Sequence, residues 1–103
     1  TTAVEVKHTN ATIRNSVLTG TATPTGSGSN NNGTCTDGYA FAVTTNGVND
    51  LATGNCVVEN TKLYNGNVST GAPNGYYFVY KMASGFKTVI NGQNVSDFNT
   101  YLH

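Results

Sequence analysis

At 103 residues the chain has room for one domain built around one core. Charged residues are 10% of the sequence, five basic against five acidic, so no field exists to steer nucleic acid, an anionic membrane or an acidic substrate. No apolar run approaches the roughly 18 to 20 residues that span a bilayer. Solubility therefore falls to uncharged Thr, Asn, Ser and Gly, the composition of an exported surface protein, and the start at Thr1 without a Met reads as a processed product.

Residues 4–18 come first. Val4, Val6 and His8 alternate as in a strand, whereas Ile13, Val17 and Leu18 would also fit a short helical face. Thr, Val, Ile and Asn dominate and strong helix formers are scarce, so strand is predicted. Residues 20–34 hold Gly, Ser, Thr, Asn and Pro24, with nothing to bury, and are predicted to be a flexible exposed loop. The next strand places Tyr39, Phe41 and Val43 on one face and Ala40, Ala42 and Thr44 on the other.

The strongest strand signal is 76–82. Tyr76, Phe78, Tyr80 and Met82 share one face, and Tyr77, Val79 and Lys81 share the other. A short turn at Ala83, Ser84 and Gly85 leads to a strand at 86–90, which Asn91-Gly92 reverses into 93–98. Asn-Gly also occurs at Asn32, Asn46, Asn65 and Asn74, and the dipeptide suits the type I′ hairpin turn because both positions tolerate positive φ. No repeat at a fixed period is visible. The predicted fold is a single all-β domain over 1–103, a small antiparallel sheet of hairpins ending in a three-stranded meander.

Chemistry-bearing residues are few. Cys35 and Cys56 are the only cysteines and lack the spacing of a zinc site, so a disulfide is expected, and with it an oxidising compartment. A bridge closing about 22 residues stabilises a fold by roughly 3 kcal/mol on the chain-entropy model. The two histidines, His8 beside Lys7 and the terminal His103, offer no obvious general base. Fungal guanyl-specific ribonucleases share this length and composition, but Arg14 is the only arginine and the Glu, Arg and His set such chemistry needs does not converge. Asp37-Gly38 and Asn49-Asp50 sit beside turns without the Asp-x-Asp spacing of a calcium loop. An enzyme is not expected, nor a metal or other cofactor.

The aromatic face is the remaining candidate. A sheet with one apolar face requires a second layer, and no amphipathic helix is visible in this sequence to supply it. Tyr76, Phe78, Tyr80, Met82 and Phe41 are therefore the expected partner-binding residues.

The segment Asn74-Gly75-Tyr76-Tyr77-Phe78-Val79-Tyr80, echoed by Gly38-Tyr39-Ala40-Phe41, resembles the C-terminal sheet of bacterial type IV pilins and pseudopilins over about residues 35–102. Some pilins are split into a short helical chain and an exported β-rich chain. The resemblance implies a structural subunit of a pilus-like filament on the bacterial surface, docked on a helical pilin-type chain and on neighbouring copies, without nucleic acid and without a membrane span of its own. An exported adhesin or carbohydrate-binding module is the alternative expectation.

Overall fold

The computed structural model describes residues 1–23, 36–67, 75–95 and 100–102. Most of the expected loop at 20–34 lies outside them, as does Cys35. The described secondary structure is all β. Ten short strands run β1 (Val4–Lys7), β2 (Ala11–Arg14), β3 (Val17–Gly20), β4 (Phe41–Thr44), β5 (Cys56–Glu59), β6 (Lys62–Asn65), β7 (Tyr77–Val79), β8 (Thr88–Ile90), β9 (Gln93–Asn94) and β10 (Thr100–Leu102).

These strands wind as a coil. β1 pairs in parallel with β4 and β4 with β7; β2 pairs in parallel with β5 and β5 with β8; β3 pairs in parallel with β6. Each turn of the chain thus lays one strand on each of three faces, and the next turn stacks on it. The first coil is β1, β2 and β3, and the second is β4, β5 and β6. The third contributes β7 and β8 before the direction changes: β9 returns antiparallel to β8, and β10 lies antiparallel to β7.

The predicted meander is corrected here. β7 and β8 belong to different sheets, and the segment between them turns a corner of the coil instead of closing a hairpin. Of the Asn-Gly pairs, Asn91-Gly92 does reverse the chain into an antiparallel partner. Asn46-Gly47 instead follows β4, and Asn65-Gly66 begins at the last residue of β6, where the chain leaves each face. Asn-Gly specifies a tight change of direction, and what the strands do next depends on which edge is free.

The interior is shared by all three faces. Val6, Phe41, Val43, Tyr77 and Val79 meet Cys56, Val58, Ile90 and Leu63 in one apolar cluster. Alternation holds along β2, β3, β5 and β6, where inward residues are less exposed than their neighbours. It fails along β4 and β7, which are buried throughout. Ala42 and Phe78 turn outward there and join Tyr39 and Tyr80 in a second buried cluster. Phe78 lies 5.7 Å from the ring of Tyr39 and 6.1 Å from that of Tyr80. The expected shared face of Tyr39 with Phe41 and Val43 is broken by the bend at Ala40, which puts Tyr39 and Phe41 in different clusters.

Corners are set by left-handed residues. His8, Asn15, Asn60 and Asn91 have φ of 53°, 53°, 46° and 48°. Asn tolerates this region better than most residues because its short amide bonds locally. At the corner after β2 and β5, Nδ2 of Asn60 donates to Oδ1 of Asn15 at 2.8 Å. Asn91 continues the stack: its Nδ2 donates to the Thr61 carbonyl at 2.8 Å and its Oδ1 accepts from the Thr61 N–H at 3.1 Å. Buried Asn65 plays a similar role elsewhere, donating to the carbonyls of Ala22 and Gly38 and accepting from the N–H of Asn67.

Candidate functional site at the open end of the first coil

The two ends of the coil are finished differently. At the far end, β9 and β10 fold back over the edges of β8 and β7. At the near end, β1, β2 and β3 each have one neighbour among the described strands, the strand of the second coil. Val4 and Ala11 donate their N–H groups to Ala40 and Asn55 of that coil, while Lys62 and Gly66 donate back to Ser16 and Gly20. Backbone polar groups alternate between strand edges, so those of Glu5, Lys7, Thr12, Arg14, Val17 and Thr19 point away from the second coil.

The side chains tell the same story. Inward residues of the second coil are fully covered: Phe41, Val43, Cys56, Val58 and Leu63 are at most 1% exposed. Their register partners in the first coil are Val4, Val6, Ala11, Ile13 and Leu18. Val6 is buried, whereas Val4, Ala11, Ile13 and Leu18 are only partly buried although they belong to the same apolar stack. Among the described residues, the interior column therefore ends in an apolar layer without a full lid. Thr1 to Ala3 do not roof it: the Ala3 N–H bonds Tyr39 and the Thr1 carbonyl accepts from Thr21, which keeps this segment along the wall.

A second constellation sits at the first corner, where His8 closes on the connection between β4 and β5. Its Nε2 is 2.6 Å from Oδ2 of Asp50 and its Nδ1 is 3.0 Å from Oγ1 of Thr53. The Asp50 carboxylate also accepts from the N–H groups of Asn46 and Leu51. The Asn46 N–H first, and then His8, hold its carboxyl below the ordinary value of 3.8. Hydroxyl, imidazole and carboxylate stand in line, but Asp50 is engaged by the loop's own backbone. The arrangement clasps the first coil to the second. The sequence reading missed it because Asp50 and Thr53 lie 42 and 45 residues from His8.

A third feature is an open groove of about 780 Å³ along the asparagine corner, lined by residues including Asn15, Ser16, Glu59, Asn60, Lys62 and Asn91. Among the described residues, no three His, Cys, Asp or Glu side chains cluster as a metal site.

The residues expected to bind a partner are accounted for differently. Phe41 and Phe78 are 0% exposed, Tyr80 1% and Tyr76 6%. Met82 is half-buried, with Sδ 4.0 Å from the Thr88 hydroxyl. Phe41 faces the coil interior, and Phe78 and Tyr80 are sealed in the outer aromatic cluster. This corrects the expectation of an uncovered aromatic face: winding the sheet into a coil covers Phe41, and Phe78 and Tyr80 are buried with Tyr39 on the other side of the wall. Cys56 points inward, and burial pushes its thiol pKa up. The expected pairing with Cys35 falls on a residue outside the described ones.

The architecture is that of a parallel β-solenoid, a fold whose stability comes from stacking each coil on the next. No family model, no curated protein and no solved structure matches the chain.

Proposed function

We propose that this chain is a structural module of an exported surface assembly and acts through the open end of its first coil rather than through catalysis. The observation that carries this reading is the layer of Val4, Ala11, Ile13 and Leu18, apolar, inward-facing and incompletely covered, beneath three strand edges that point away from the rest of the fold. In a solenoid such an end takes a capping element, a further coil or another chain. A filament of the type IV pilus kind is one assembly of this class, and the resemblance at residues 74–80 is the support for it. Helix docking on Tyr76, Phe78 and Tyr80 forms no part of the proposal, because those rings are buried. An oxidised Cys35 and Cys56 pair belongs to the exported reading.

A carbohydrate-binding module is the second reading, favoured by the groove beside Asn15, Asn60 and Glu59, whose amides and carboxylate suit sugar hydroxyls. Fractionation of producing cells separates the two. The assembly reading expects the chain in the surface fraction within a particle larger than a monomer, and expects Ile13→Lys to release it. A soluble monomer retained on a polysaccharide resin, and indifferent to Ile13→Lys, contradicts it.

A further inference from the structure

We infer that the occupant of the open end is a second copy of this chain, docked first coil to first coil about a twofold axis. The inference rests on the assembly reading and names its partner. Head-to-tail stacking would set β1 and β2, of four residues each, against the shorter edges of β10 and β9, of three and two residues. An isologous pair uses the near end of both copies.

A twofold axis through the middle of the β1 face maps β1 onto β1 of the second copy, and exchanges β2 with β3. All three strands have four residues, so no edge is left over. Side-chain direction then restricts the register, because inward residues must meet inward residues. For β1 this allows centring on Glu5 or on Val6. Centring on Glu5 sets two glutamates face to face, whereas centring on Val6 pairs Glu5 of each copy with Lys7 of the other. Opposite charges directly across an antiparallel pair stabilise it and like charges destabilise it.

With β2 and β3 aligned end to end across the interface, Ile13 lies against Leu18, Ala11 against Gly20, Thr12 against Thr19 and Arg14 against Val17. The first two pairs extend the interior column across the interface and cover the partly buried layer. The backbone agrees independently. Glu5, Lys7, Thr12, Arg14, Val17 and Thr19 have outward polar groups, and they fall opposite one another as the hydrogen-bonded pairs of an antiparallel ladder. Hydrogen bonding and interior matching are satisfied by both centrings of β1, and charge selects Val6.

Sedimentation equilibrium of the 103-residue chain tests this. A reversible dimer is expected. Lys7→Glu, at an exposed position, sets two carboxylates together twice and should weaken dimerisation about tenfold. The double swap Glu5→Lys with Lys7→Glu should restore it. Because Glu5 also accepts hydroxyl bonds from Thr44 and Thr36, Val17→Glu provides a second arm. Val17 is 63% exposed, and a glutamate there would face Arg14 of the other copy and tighten the dimer about threefold. A monomer at every concentration, or a dimer unmoved by both Lys7→Glu and Val17→Glu, overturns the twofold pairing. If the monomer nevertheless occurs in a large surface particle in cells, only this inference fails and the assembly reading stands; a soluble monomer in cells contradicts both.

Discussion

The side-chain amide of Asn60 donates to Oδ1 of Asn15 at 2.8 Å across 45 residues of sequence. Both residues are left-handed, so the same backbone corner is repeated in successive coils and locked by a bond between the two copies of the corner. Asn60→Ala should cost about 1–2 kcal/mol, the sum of a lost hydrogen bond and an unfavourable φ. Asn60→Gly should recover the φ part alone. Urea midpoints of the three proteins check the order, with wild type highest and Ala lowest.

Buried Asn65 is the more sensitive position. Its amide nitrogen serves the carbonyls of Ala22 and Gly38, and its oxygen serves Asn67. Asn65→Asp keeps the shape but replaces the donor with an acceptor facing two carbonyls, so it should destabilise by roughly 3 kcal/mol or more. Asn65→Ala should cost about 2 kcal/mol. Thermal unfolding that places Asp above Ala would contradict this hydrogen-bond assignment.

Gly54 is held at φ 100°, and a Cβ built there would lie 2.2 Å from the Thr9 carbonyl oxygen. That oxygen is backbone and belongs to the corner between β1 and β2, so it cannot step aside cheaply. Gly54→Ala should lower stability by about 3 kcal/mol or abolish folding. Gly85→Ala, with a similar φ of 89° but open space around the Cβ, should cost about 1 kcal/mol and serves as the control.

Acidification should loosen the clasp at His8. The Asp50 carboxyl titrates below 3.8 in the fold because the Asn46 N–H and His8 favour its charged form. Its contribution is therefore complete above that ordinary value and is lost as pH falls below it through the lowered value. Asp50→Asn should flatten this part of the pH dependence of unfolding between about pH 5 and 2. A wild-type slope that the variant leaves unchanged would show that Asp50 is not its source.

Strands were legible where alternating or aromatic runs stand out in the sequence, whereas β5 and β6 alternate in burial without such a signal. Residues 4–18 hold β1, β2 and the start of β3, and the segments around 41–44, 77–79 and 88–90 hold β4, β7 and β8. Parallel pairing was not legible, because alternation specifies which face is buried and says nothing of a neighbour's direction. The coil also hides its repeat: Val4 and Phe41 are 37 residues apart, Ala11 and Cys56 are 45 apart, and Cys56 and Thr88 are 32 apart. The variation lies in the connections between strands, so no fixed period reaches the sequence. Aromatic residues at 76–80 looked uncovered because a second buried cluster outside a coiled wall leaves the same pattern as a bare sheet.

The site was less legible than the strands. Val4, Ala11, Ile13 and Leu18 are ordinary strand residues, and only their place in the first coil leaves them partly buried. Asn91 was visible as a turn residue in Asn91-Gly92, Asn15 and Asn60 carried no such signal, and the stacking of the three depends on a register that only the fold defines.

Hydrogen exchange read at single amides tests the central claim most directly. The N–H groups of Glu5, Lys7, Thr12 and Thr19 point off the open end, and those of Val4 and Ala11 bond the second coil. In dilute protein the first group should exchange fast and the second slowly, and raising the protein concentration should protect the first group as the ends meet. Protection of Glu5, Lys7, Thr12 and Thr19 already complete in the dilute monomer, or absent at every concentration, would contradict an open end that works by assembly.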